Sequence, residues 1–355
     1  MPAAVDWAVA QRVAVRVAGR EPFSQSYHYD SLETDFAELT EQAESLVSAE
    51  TGLVSLAGPA RARVTDRAGW IDANVASFQR LLRPIIDKLA SRLNESPLTP
   101  VAQKLAGAEV GMVLGWMSTR VLGQYDLLII EEESPLDQDL VYYVGPNVLS
   151  LEKQFAFPPR EFRLWLALHE VTHRAQFTGI EWMRPYFLDL VTQTLDAVDP
   201  DPKRFVAVLG RIAEARRNGA NPLADGGIMA LVASDEQREV LDRVSGLMSL
   251  LEGHGDITMD RAGRGLVPSA ERFSRVLRQR RESTQGLARL IQQLIGLEAK
   301  MNQYAQGERF IEEVERIGGQ SLLRQAWEGP ERLPTLDEIR NPSLWIERVA
   351  PALAG

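Results

Sequence analysis

The chain has 355 residues, of which 45% are hydrophobic and 25% are charged, the balance of an ordinary globular protein. Its formal net charge of −10 argues against nucleic acid or an anionic membrane as the main partner. There is no cysteine, which excludes disulfides and thiolate metal ligands, so any metal must be held by His, Asp or Glu.

The N-terminal segment 1–23 has Asp6, Arg12, Arg16 and Arg20 among its apolar positions. This pattern indicates a docked amphipathic helix and not a signal peptide, so we expect a cytoplasmic protein. No run of about 18 uninterrupted apolar residues is present, so no transmembrane helix is predicted.

Helical periodicity runs through most of the chain. It predicts helices over Ser31–Ser48, from Thr65 to about Leu93 with a kink at Pro84, and over Val101–Leu122, Arg184–Val198, Lys203–Asn218, Ser234 to about Glu252 and Ala270 to about Gly318. In the third of these helices, glycines recur at 107, 111 and 115, a spacing that lets a neighbouring helix pack closely. The tail from Trp327 to Leu353 is expected to fold back onto the body.

Strand signals are confined to the middle of the chain. Tyr125–Ile130 and Leu140–Val144 flank the acidic connector 131–139 and are predicted to pair as an antiparallel ribbon, with a turn at 145–147. Without internal repeats or low-complexity linkers, the sequence predicts one mainly α (α+β) domain over 1–355. Its parts are a helical segment 1–123, a ribbon and metal-site core 124–260 and a helical segment 261–355.

A helical run over 162–178 contains His169-Glu170-Val171-Thr172-His173, an HExxH pattern in a chain with four histidines. Residues four apart lie one above the other on a helix, so both imidazoles can bind one zinc ion. Glu170 would then lie beside the metal as a general base. Two satisfied core histidines are the alternative interpretation, and Arg174 departs from the usual uncharged flank.

A catalytic zinc needs a third protein ligand and an open position. The best candidates lie in the stretch 247–260, where Glu252, His254 and Asp256 follow an apolar run. The less favoured alternative is a helix that ends at Gly253 or Gly255 and faces solvent. Residues two apart point about 200° apart on a helix, so Glu252 and His254 cannot both bind one ion unless the helix breaks.

The pairing of HEVTH with Glu252-Gly253-His254-Gly255-Asp256 resembles zincin metallopeptidases of the glutamate-ligand type. Longer stretches, including 70–85, 115–129, 142–148 and 333–349, resemble a zincin-like family of bacterial hydrolases, some associated with biosynthesis of a deazaflavin coenzyme. The resemblance implies Glu252 as the third metal ligand and Asp256 as the partner that orients His169. His254 is an extra imidazole relative to that layout, either an alternative ligand or a hydrogen-bond donor to the oxyanion.

The function predicted from these features is zinc-dependent hydrolysis of a peptide or small amide, with Glu170 as general base. Leu140–Val144 is the expected edge strand that aligns the substrate backbone. The alternative is a zincin-derived scaffold protein in a cofactor pathway, with His254 closing a structural site. Oligomeric state and substrate identity are not predicted.

Overall fold

The computed structural model describes residues 5–23, 26–81, 99–127, 139–196, 235–282 and 297–351. The helices in these ranges are α1 (Trp7–Ala18), α2 (Tyr27–Asp30), α3 (Leu32–Thr51), α4 (Arg67–Leu81), α5 (Thr99–Ser118), α6 (Gly145–Phe155), α7 (Pro159–Gly179), α8 (Met183–Asp196), α9 (Asp235–Ala262), α10 (Ala270–Glu282), α11 (Leu297–Leu323), α12 (Leu336–Arg340) and α13 (Pro342–Val349). The strands are β1 (Arg61–Thr65), β2 (Gly123–Tyr125) and β3 (Leu140–Val144). The mainly helical prediction is confirmed. None of the described helices has the length and apolar character needed to cross a membrane.

The chain divides into two compact units. The first comprises residues 1–181 and 258–279, and the second comprises residues 182–257 and 280–355. Helix α9 contributes to both, because its last five residues belong to the first unit. The single-domain organisation over 1–355 stays a prediction.

The sheet of the first unit has the strand order β1-β3-β2. β3 pairs antiparallel with β2, the orientation predicted for the ribbon, and parallel with β1. The predicted bounds Tyr125–Ile130 are wrong, because β2 ends at Tyr125 and residues 126 and 127 are not in a strand. β1 was not predicted, and it makes β3 the central strand. The expectation that Leu140–Val144 is an edge strand is therefore wrong, since hydrogen bonds occupy both its sides. The predicted strand positions 128–130 lie outside the described residues.

The core of the first unit is built by α3, α7 and the sheet. Leu32, Phe36, Leu39, Ala43 and Val47 recur every three or four positions along α3 and are all buried. Such a stripe places one face of the helix against the core. Phe36 stacks on Tyr143 of β3, with ring centroids 3.8 Å apart.

The glycine pattern at 107, 111 and 115 has the predicted effect. A Cβ atom at Gly111 would meet the carbonyl oxygen of Ala10 on α1, and Gly107 and Gly115 face Asp6 and Ala14 in the same way. Helix α1 therefore packs directly on the backbone of α5, which explains how the amphipathic N-terminal segment is docked.

Two local predictions are wrong. The predicted turn at 145–147 is the start of α6, because Pro146 is tolerated in a first helical turn where its missing N–H has no intrahelical role. The expected helix end near Glu252 does not occur, and α9 continues to Ala262. Some predicted helical residues lie outside the described residues. They are the whole helix Lys203–Asn218, residues 82–93 of the helix predicted from Thr65, and residues 283–296 of the helix predicted from Ala270.

In the second unit, the C-terminal segment packs onto α11 as expected for the tail. Trp345 of α13 is fully buried against Phe310 of α11, with ring centroids 5.4 Å apart. Its indole N–H donates to the carbonyl oxygen of Arg332 at 2.8 Å. Because a buried indole needs an acceptor for its N–H, this bond fixes the course of the tail.

Candidate metal centre

Helix α7 presents the two histidines of the HExxH pattern. It begins at Pro159, whose fixed φ suits a first helical turn, and its Phe162 is fully buried in the core. His169 and His173 follow in register, half-buried, with ring centroids 4.7 Å apart and perpendicular planes. This is the i, i+4 arrangement from which two imidazoles can bind one ion.

Glu170 is buried against strand β2, with 7% of its surface exposed. A Cβ atom built on Gly123 would lie only 2.7 Å from both Cγ and Oε1 of Glu170. A side chain at position 123 would therefore displace the glutamate carboxylate from this position. The neighbouring Tyr143 hydroxyl is fully buried and shares a 2.8 Å hydrogen bond with Thr40. Burial raises the pKa of Tyr143, and the negative charge of Glu170 raises it further.

Gln176 is a site residue that the sequence reasoning missed. Its side-chain oxygen lies 3.0 Å from Nδ1 of His173, one turn earlier on α7, and Gln176 is fully buried. Because a carbonyl oxygen only accepts, this contact is a hydrogen bond in the tautomer that carries its hydrogen on Nδ1, which leaves the lone pair on Nε2. An i, i+3 spacing from a ligand histidine is the signal that could have found it.

Arg174 is the centre of a buried ion network on the same helix. It is 1% exposed and donates to Asp139 at 2.6 Å, to Glu44 at 2.8 Å and to the carbonyl oxygen of Gly58 at 2.8 Å. The Tyr125 hydroxyl donates to the other oxygen of Asp139 at 2.9 Å. Arg174, the charged residue after His173, thus has a structural function. Through Asp139, it links α7 to Tyr125 at the end of β2.

Helix α9 carries the remaining predicted site residues. Glu252 and His254 are 8% and 6% exposed, and Asp256 is half-buried. The helix is continuous here, so side chains two positions apart point in different directions. His254 packs edge-on against Trp327, with ring centroids 5.1 Å apart.

The residue between Glu252 and His254 is held by a close helix crossing in the second unit. A Cβ atom on Gly253 would lie 2.7 Å from Cα of Gly307 on α11, and one on Gly307 would meet the carbonyl oxygen of Ser249. Both glycines are therefore required by the packing. This contact explains why Gly253 lies within a helix instead of ending it.

His169, His173 and Glu252 each offer one ligand atom, and these three atoms lie within 4.8 Å of one another. In the part of the chain that the structure describes, this group of possible metal ligands does not include His254. Two imidazole nitrogens and one carboxylate oxygen are a donor set that suits zinc in an open catalytic site. The residues present therefore fit the metal.

Comparison with known proteins agrees with a metal site in this chain. A sequence profile described as zincin-like metallopeptidase matches residues 5–346. The chain belongs to the zincin-like metallopeptidase family. A crystal structure from Chloroflexus aurantiacus, described as a putative hydrolase with a novel fold, is 32% identical in sequence. The alignment covers 97% of this chain and 98% of that one, with a TM-score of 0.71. No curated protein matches the chain.

Membership of this zincin-like family supports the resemblance seen in the sequence and a hydrolase function at the level of reaction class. It also implies a metal, typically zinc, for which the His/His/Glu group is a possible site.

Proposed function

We propose that the protein is a zinc-dependent hydrolase of peptide or small amide bonds, with His169, His173 and Glu252 as the zinc ligands. The observation that carries the proposal is the grouping of these three ligand atoms within 4.8 Å. Zinc bound there would polarise a carbonyl group and lower the pKa of a water molecule towards about 7.

Glu170 is the proposed general base. It takes a proton from the attacking water and delivers it to the leaving amine. Its burial against β2 supports this role. A carboxylate that is already held in one position loses less conformational entropy when the transition state for proton transfer forms. Asp256 is proposed to orient His169. It stands one helical turn after Glu252, on the same side of α9.

Strand β2 is the proposed substrate-aligning strand, in place of β3. In β3, the N–H of Val144 donates to the carbonyl oxygen of Leu122, and the carbonyl oxygen of Leu140 accepts from the N–H of Asp126. Because pairing alternates along an antiparallel strand, the backbone N–H and C=O of Gly123 point away from β3. An extended substrate placed along that side would run next to Glu170.

Glu170→Gln tests the proposal. The variant keeps the shape of the side chain but cannot accept the proton, so hydrolysis of a peptide library should fall at least about 100-fold while zinc stays stoichiometric. Full activity in Glu170→Gln would contradict the proposed base. Stoichiometric zinc with no turnover in the wild-type protein would instead support the scaffold alternative.

A further inference from the structure

We infer that Gly123 is a positioning residue for Glu170, and that steric contact with strand β2 fixes where the glutamate carboxylate lies. The inference deepens the proposed function, on which its catalytic consequence rests. Its structural part depends only on the contact between β2 and α7.

The contact is specific to the glutamate side chain. The three nearest atoms to a Cβ at Gly123 are Cγ and Oε1 of Glu170, both at 2.7 Å, and Cδ at 2.9 Å. All belong to one side chain, so an added methyl group would displace Glu170 before it met anything else. A shift of the carboxylate by about 1 Å is enough to cost a general base much of its rate advantage.

The backbone of Gly123 gives no other reason for glycine. Its φ is not in the left-handed region, so any L-amino acid can adopt the conformation. At such a position, Gly→Ala normally stabilises a protein, because alanine restricts the unfolded chain. A lower stability of Gly123→Ala would therefore indicate a steric clash between the new methyl group and Glu170.

The strand is held in place at its other end. Tyr125 is buried, and its hydroxyl donates to Asp139, which Arg174 of α7 also binds. Because α7 carries both Arg174 and Glu170, the strand is tied to the helix whose glutamate it confines. A methyl group at position 123 is thus expected to move the carboxylate and not the strand.

The test is a set of double variants followed by thermal unfolding of protein prepared with the same zinc load. Gly123→Ala is made in the wild-type, Glu170→Gln and Glu170→Ala backgrounds. Glutamine fills the same space as glutamate, whereas alanine removes the three atoms that collide. We expect Gly123→Ala to lower Tm by at least about 2 °C in the first two backgrounds, and to leave it unchanged or raised in the third.

An equal change in all three backgrounds, or no decrease in the wild-type background, overturns the inference. If Gly123→Ala alone does not fold, recovery of folded protein in Gly123→Ala/Glu170→Ala supports it, and failure of both overturns it. For a substrate found by screening, Gly123→Ala should lower kcat at least about 10-fold with KM and zinc content little changed. If the protein hydrolyses nothing, the proposed function fails, but the unfolding comparison still decides the role of Gly123.

Discussion

Nδ1 of His173 lies 3.0 Å from Oε1 of Gln176, its neighbour one turn along the same helix. A histidine that donates through one ring nitrogen is fixed in both tautomer and orientation, which prepares the other nitrogen for a metal. The acceptor is fully buried, so its position is defined by the core.

Gln176→Ala is therefore expected to weaken zinc binding about 10–100-fold. Competition with a chelator of known affinity measures the change. Gln193→Ala is the matched control, because Gln193 is a half-buried glutamine on α8 whose described side-chain hydrogen bond goes to Asp189 and not to a histidine. Equal zinc affinity in the two variants would show that the hydrogen bond to His173 has no influence on the metal.

The identity of the third ligand is tested by metal content. Glu252→Ala should lose zinc, because two imidazoles alone leave a site with too few ligands. His254→Ala should retain it, because His254 leaves α9 in another direction and contacts Trp327. Elemental analysis of both purified variants gives the answer, and circular dichroism checks that each is folded. Zinc lost from His254→Ala and kept in Glu252→Ala would reverse the assignment. A loss of turnover in His254→Ala with zinc retained would favour the role of oxyanion donor.

Much of this arrangement could be predicted because it depends on local spacing. The i, i+4 histidines and the apolar stripe of α3 depend on spacings of three or four residues, and Pro159 marks the start of α7 by itself. The glycine spacing on α5 likewise predicts a close helix contact, although it does not say that α1 is the partner.

The remainder depends on contacts between distant parts of the chain. β1 has arginines at two of its five positions and no apolar alternation strong enough to mark it, and only its pairing with β3 makes it a strand. Gly253 has the local character of a helix end, but the crossing with Gly307 overrides that tendency. The role of Gly123 is likewise invisible in sequence, because Glu170 is 47 positions away.

Arg174 provides a test of stability. Arg174→Met removes the cation from Asp139 and Glu44 and leaves a buried carboxylate without its charge partner, which costs about 3–5 kcal/mol in free energy of unfolding. Urea unfolding measures the loss. Arg160→Met is the matched control on the same helix. Its ion pair with Glu38 is exposed, so no measurable change is expected. Similar stabilities of the two variants would mean that the buried network contributes nothing.

The acid sensitivity of the second unit should depend on Glu338. Burial raises the pKa of this carboxyl group, but the hydrogen bonds from Arg348 at 2.7 and 2.9 Å and from the capping Thr335 outweigh it, so the net pKa is lowered from its ordinary value of 4.5. A carboxyl group with a lowered pKa in the folded state stabilises the protein above its unfolded pKa. That stabilisation is fully present above about pH 4.5 and is lost as the pH falls through the lowered value.

Glu338→Gln should therefore reduce stability at pH 7 and make the loss of stability on acidification below about pH 4.5 less steep. Urea unfolding followed by tryptophan fluorescence across this range measures it. Asp337→Asn is the control, because this neighbouring carboxylate is 85% exposed and its contact with Arg340 is longer, at 3.5 Å. The same pH dependence in Glu338→Gln and wild type would rule out the Glu338–Arg348 pair as a source of acid sensitivity, and a steeper one would mean that its pKa is raised by burial.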